Sequence, residues 1–168
     1  QLKNIILVGS VDPDRRISSY SNYGKRVDIA APGGNKDKPI FETDPITGQL
    51  NSTETADYGI VSTVLSDRAN DLETSLGIAK NKGSYRSENG TSMSAPMVSG
   101  SAALIWGTKP SLGAKDIKHI LLKSADKLDT LKPFVKGGNS LHPYKAMLMA
   151  HEDDLDAVSE DMPFCVPK

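Results

Sequence analysis

The sequence predicts a mixed α/β chain, and three observations predict it. Short apolar runs bounded by turn residues, over 4–12 and 27–33, have the length and edges of buried strands. A run of small residues (Ser94, Ala95, Ser99, Gly100, Ser101, Ala102, Ala103) leads into Leu104-Ile105-Trp106, as a closely packed helix would. Beyond it, Ile117, Ile120, Leu121 and Ser124 recur at helical spacing on one face.

In chain order, residues 4–12 and 26–31 are expected strands joined by a polar turn. From Gly33 to about Thr55 the chain is rich in Gly, Pro, Asn, Asp and Lys, which predicts a long surface connection with room for a small hairpin. Residues 59–65 resume strand character, and 66–86 are polar with no clear element. Residues 85–90 lead into a helix over 92–107. Ser111 is the expected cap of a second helix over 112–125. A short closing helix over 142–151 would present Tyr144, Met147 and Leu148 as its apolar face. Residues 1–150 are thus expected to be domain, and 151–168, acidic and ending in prolines, a linker or tail.

Composition excludes several classes of partner. A chain of 168 residues can hold a core, since a domain of about 150 residues buries about 68–70% of its unfolded surface. The formal net charge of −1 gives no reason to expect nucleic acid or an anionic membrane. No stretch has the apolar length of a transmembrane helix. The single cysteine, Cys165, cannot form an internal disulfide and is left as a free thiol or a link to another chain. Asn51-Ser52-Thr53 is a glycosylation sequon in an expected loop.

The segment Asn89-Gly90-Thr91-Ser92-Met93-Ser94-Ala95-Pro96 carries the chemistry. A serine hydroxyl is a weak nucleophile at neutral pH and needs a base within reach and donors aimed at the developing oxyanion. The first turn of a helix offers unpaired N–H groups and partial positive charge, so Ser92 can present its own N–H to an anion. Gly90 permits a tight turn with no side chain in the way. Gly-Thr-Ser alone is common, and its serine is usually only a cap. Pro96 is expected to be tolerated because it falls near the helix start.

The longer pattern is more specific. It resembles the nucleophile segment of the subtilisin-like serine proteases, Gly-Thr-Ser-Met-small-small-Pro. Three further blocks resemble that family upstream: Val8-Gly9-Ser10-Val11-Asp12, Ser19-Tyr20-Ser21-Asn22-Tyr23-Gly24 (where the family turn reads Ser-Phe-Ser-Asn-x-Gly), and Val27-Asp28-Ile29-Ala30-Ala31-Pro32-Gly33. Downstream, Gly137-Gly138-Asn139-Ser140-Leu141 with Ala146 resembles its closing segment. The resemblance covers roughly residues 3–150. Met97, Ser99 and the pair His142-Pro143 depart from the usual residues, the last putting a local turn in question.

That resemblance implies an α/β fold, the C-terminal portion of a subtilisin-like three-layer domain with a mostly parallel sheet and a central helix bearing the nucleophile. It implies a serine endopeptidase acting on polypeptide substrates, with Ser92 as the nucleophile and Asn89, Gly90 and Thr91 supporting the oxyanion. The family's triad aspartate and histidine, and its oxyanion asparagine, belong to blocks that do not occur here. Of the three histidines, His119 is expected on a solvated helix surface, His142 in a structural turn, and His151 at the start of the acidic tail. The chain alone is therefore expected to be inactive, its partner being the missing N-terminal part of the domain. A second expectation is a non-catalytic structural fragment that associates with that part or with itself, because its first strand would leave an open sheet edge. The resemblance implies no certain cofactor. Ca²⁺ is a candidate in the full domain, as many family members bind it; Asp12, Asp14 and the acidic tail are the carboxylates available here, although two carboxylates in a turn are more often solvated. A secreted or periplasmic location is what the resemblance implies.

Overall fold

A computed structural model of the chain describes residues 5–44, 46–63 and 85–151. The expected acidic tail, Cys165 and most of 66–86 lie outside the described residues.

The centre of the fold is a four-stranded sheet. Strand β1 (Val8–Val11) pairs in parallel with β2 (Ile29–Pro32), in the register Val8–Ile29 to Val11–Pro32. Among the described residues four more strands, β3 (Asn35–Thr43), β4 (Leu50–Tyr58), β5 (Ile60–Thr63) and β6 (Tyr85–Glu88), precede the helices. Two short strands, β7 (Asp126–Lys127) and β8 (Asn139–Ser140), complete the sheet in the order β1-β2-β8-β7. The β2–β8 pair is parallel and β7 runs antiparallel to β8. Ile29, Ala30 and Ala31 are all fully buried, which is what a strand covered on both faces of a parallel sheet requires. Ile29 and Ala31 face the helices, and Ala30 packs with Val11, Val27, Leu131 and Val135 on the other side.

Among the described residues, three helices cover one face. The long helix α1 (Thr91–Thr108) packs on β1 and β2 through Ser94, Val98, Ser101 and Ile105, a stripe of one residue per turn. Helix α2 (Ala114–Lys123) buries Ile117, Ile120 and Leu121, as its spacing predicts. Its N-cap is Gly113, not Ser111: the Asp116 carboxylate accepts from the Gly113 N–H at 2.9 Å, so the acid three residues in does the work expected of the serine. Helix α3 (Pro143–His151) buries Ala146, Met149 and Ala150, while Tyr144 is exposed and Met147 and Leu148 are only half-buried. The expected apolar face is thus rotated. The packed face is instead that of Ala146, Met149 and Ala150, two alanines and one methionine, and Tyr144, Met147 and Leu148 lie to its side.

The region from 33 onward is more ordered than a surface connection. Strands β3 (Asn35–Thr43) and β4 (Leu50–Tyr58) form a hairpin of nine residues a side, closed by Asp44, whose carboxylate accepts from the Ile46 and Thr47 N–H groups. Strands β5 (Ile60–Thr63) and β6 (Tyr85–Glu88) form a second antiparallel pair, Ile60 opposite Glu88. This second pair delivers the chain to the head of α1.

Asp126 ties the sheet end together. Its carboxylate accepts from Lys145 Nζ at 3.1 Å and from Arg15, on the loop after β1. Arg15 reaches it from a left-handed backbone conformation, φ 60°, inside a turn closed by the Asp12 carboxylate, which accepts from the Asp14 and Arg16 N–H groups.

Candidate active site at the head of the long helix

Ser92 is the second residue of α1 and is exposed. In that position its N–H has no intrahelical acceptor and points outward with the positive end of the helix dipole. Asn89 is exposed beside it, and Thr91 and Gly90 are half-buried, so the four residues singled out from the sequence form one contiguous turn.

Backbone geometry explains the glycine. Gly90 is the N-cap residue with φ 151° and ψ 162°, a region essentially closed to residues with a Cβ. Its N–H donates to the Gly33 carbonyl at 2.9 Å, and its carbonyl accepts from the Met93 N–H at 3.0 Å. The turn is therefore tied on one side to the loop after β2 and on the other to its own helix.

Pro96 stands in the sixth position of α1, beyond the first turn. Its missing N–H is not one of the orphan donors of the helix start. It is the group that would have bonded the Ser92 carbonyl, so that carbonyl is released from the helical ladder.

Directly beneath, Ser94 is fully buried, and its hydroxyl has no hydrogen-bond partner among the described residues. It lies against Gly33. The Gly33 N–H donates to the Val11 carbonyl at 3.2 Å, which places the glycine between the sheet and the helix head.

The floor below Gly33 is a set of hydroxyl groups. Tyr20 donates to the Gly34 carbonyl at 2.6 Å, and the Ser10 hydroxyl lies 2.9 Å from that of Tyr20 and 2.8 Å from that of Ser18. Ser10 and Ser18 are buried. These residues were missed as site residues. The available signal was Tyr20 itself, which carries a hydroxyl where the resembling turn has phenylalanine.

Charges flank the approach through β6. Glu88 is paired with Arg86 at 2.6 Å and more loosely with Lys36 at 3.9 Å. Asp57 accepts from the Gly59 N–H and the Ser87 hydroxyl, both at 2.8 Å. Those bonds, with Lys36 nearby, hold its carboxyl below the usual range.

The histidines sit elsewhere. His119 is exposed on α2, and His151 is exposed at the end of α3. His142 is buried at the start of α3, where its Nδ1 accepts from the Lys145 N–H at 3.2 Å, a helix-capping duty. Among the described residues no group of three or more His, Cys, Asp or Glu side chains is placed to hold a metal ion. No helix among them is long and apolar enough to cross a membrane.

Known proteins resemble this chain in sequence and fold. The profile of the Subtilase family matches residues 1–142. A probable subtilase-type serine protease of Deinococcus radiodurans is 29% identical over 127 residues, covering 75% of this chain and 14% of that protein. A thermophilic serine proteinase of a Bacillus species is 28% identical over 145 residues, covering 86% and 25%. A solved protease structure from Pseudoalteromonas arctica superposes with a TM-score of 0.59 at 27% identity, over 88% of this chain and 36% of that one. The chain thus spans a third or less of the length of these curated relatives.

Proposed function

Because this chain belongs to the subtilase family, we propose that it supplies the nucleophile, Ser92, of a serine endopeptidase. The base, its orienting aspartate and the second oxyanion donor come from residues outside those of this chain. The observation that carries the reading is the presentation of Ser92: exposed, in the first turn of a helix, after a glycine in a conformation closed to other residues.

In the complete site the Ser92 hydroxyl attacks the scissile carbonyl while a histidine takes its proton. The carbonyl oxygen, now negative, is held by the Ser92 N–H and supported from Thr91 and Asn89. The histidine returns the proton to the leaving amine, and water then releases the acyl group from Ser92. Without the base and its orienter, at best about 10³–10⁴-fold acceleration over water would remain, and that only with an intact oxyanion hole and cleft. The polypeptide alone is therefore proposed to be inactive. The proposal places the complete enzyme outside the cytoplasm, in keeping with its family.

A second reading, a non-catalytic half that associates with its complement or with itself, is favoured by one observation. Helix α1 carries no charged residue on any side, yet Met97, Leu104 and Trp106 are 37%, 52% and 53% exposed. A helix of that kind belongs in an interior.

Hydrolysis of an unfolded protein substrate by the complete gene product tests the first reading. Cleavage that falls by about 10⁴-fold or more in Ser92→Ala is the expected result. Cleavage that survives the substitution would remove Ser92 from the reaction.

A further inference from the structure

We infer that the hydroxyl of Tyr20 is a positioning group for the Ser92 turn, acting through Gly34 and Gly33; the inference rests on the nucleophile reading above.

Proton bookkeeping fixes the direction of the hydroxyl chain. Tyr20 has one proton, and it is committed to the Gly34 carbonyl at 2.6 Å. Ser10, 2.9 Å from the Tyr20 oxygen, must therefore donate to it. Ser18, 2.8 Å from the Ser10 oxygen, must then donate to Ser10. The result is a one-way relay from Ser18 through Ser10 and Tyr20 to the Gly34 carbonyl, each acceptor oxygen sharpened by the bond it has already donated. Ser10 is fixed independently, because its N–H donates to the Ser21 hydroxyl at 2.9 Å. The relay is anchored in β1 and ends on the loop after β2.

That loop holds the nucleophile turn. The Gly33 carbonyl accepts the Gly90 N–H at 2.9 Å, and Gly33 is packed so tightly that a Cβ there would meet Ser10 Oγ, Ser94 Oγ and the Gly90 carbonyl. Gly34 is wedged on its other side, in a left-handed conformation of φ 82°, against Gly59 and the Glu88 carbonyl of β6. Two successive peptide units therefore link the relay to the turn: the Gly34 carbonyl receives it from below, and the Gly33 carbonyl, one unit earlier, holds the Gly90 N–H just ahead of Ser92. Removing the Tyr20 oxygen leaves the ring in place. It takes the donor from the Gly34 carbonyl and the acceptor from Ser10, and the loop is free to shift relative to Gly90.

The test uses Tyr20→Phe in the complete gene product, with Tyr23→Phe as the control, since Tyr23 is 68% exposed and packs its ring edge-on against Phe134. Amide hydrogen exchange is read at Gly90 and, for the core, at Leu121, together with the rate at which a fluorophosphonate labels Ser92. The expected result is exchange at Gly90 faster by about fivefold or more in Tyr20→Phe, no comparable change at Leu121, and slower labelling with KM for a peptide substrate unchanged. Tyr23→Phe should change none of these. Unchanged exchange at Gly90, or faster exchange with labelling as rapid as in the parent, overturns the inference. Faster exchange at Gly90 in a protein whose Ser92 never labels would support the relay and overturn the nucleophile reading instead.

Discussion

A methyl group added at Gly33 would sit 2.1 Å from the Ser10 hydroxyl, 2.5 Å from that of Ser94 and 2.8 Å from the Gly90 carbonyl. Two of those neighbours are fully buried, and the third is backbone at the turn that carries Ser92. Gly33→Ala is therefore expected to cost about 1–3 kcal/mol of stability, read by urea unfolding, and to slow covalent labelling of Ser92 by more than the stability loss accounts for. A change of stability with labelling untouched would mean that the turn is held by other contacts. The exposed place of Ser92 at a helix start was legible because it depends on near neighbours in sequence. Gly33 was visible only as the end of an Ala-Pro-Gly block. The reason for it joins residues 10, 33, 90 and 94, which no local pattern brings together.

Among the elements, the helices show how far periodicity reaches. The stripe of α2 was legible from Ile117, Ile120 and Leu121, because its opposite face is charged. The face of α3 was not: most of its large residues pointed one way, and packing buried Ala146, Met149 and Ala150 instead. The cap of α2 was misplaced because Ser111 and Asp116 offer competing oxygens, and only the carboxylate reaches an N–H. The hairpin of β3 and β4 was foreseen only in outline, since its composition is that of a loop and the pairing is non-local. Asp126 gives a test at this scale. Burial alone would raise its carboxyl, but the hydrogen bonds and charges of Lys145 and Arg15 outweigh that and hold it below its ordinary value. A carboxyl lowered on folding contributes stability above its unfolded value, about 3.9, and loses it as pH falls through the folded value. Asp126→Asn should therefore be less stable than the parent at pH 7, and the gap should close below about pH 4. A gap that is constant down to pH 2 would show that the ion pairs do not couple to folding.

At the scale of the whole molecule, the sheet and the long helix look like an interior partly uncovered. Among the described residues β1 is an edge strand, with Ile5 and Leu7 46% and 45% exposed just before it. On α1, Leu104 and Trp106 are open to solvent, while Gly100 and Gly107 have nothing within reach of a Cβ. The isolated polypeptide is expected to self-associate through this face. Leu104→Lys should shift its sedimentation toward the monomer with unchanged circular dichroism; a parent chain that is already monomeric would contradict the expectation. The small and uncharged character of α1 was written in the sequence, and so was the family to which the chain belongs. Which side would be covered by this chain was not, because that is decided by β1 and β2.

The central claim is that Ser92 is a nucleophile completed from outside these residues. Intact-mass analysis after treatment with a fluorophosphonate tests it most directly, on this polypeptide, on the complete gene product and on Ser92→Ala of the latter. One adduct on the complete product, none on its Ser92→Ala variant and none on the isolated polypeptide is the predicted result. Stoichiometric labelling of the isolated polypeptide at Ser92 would contradict the claim, because it would place a working base within these residues.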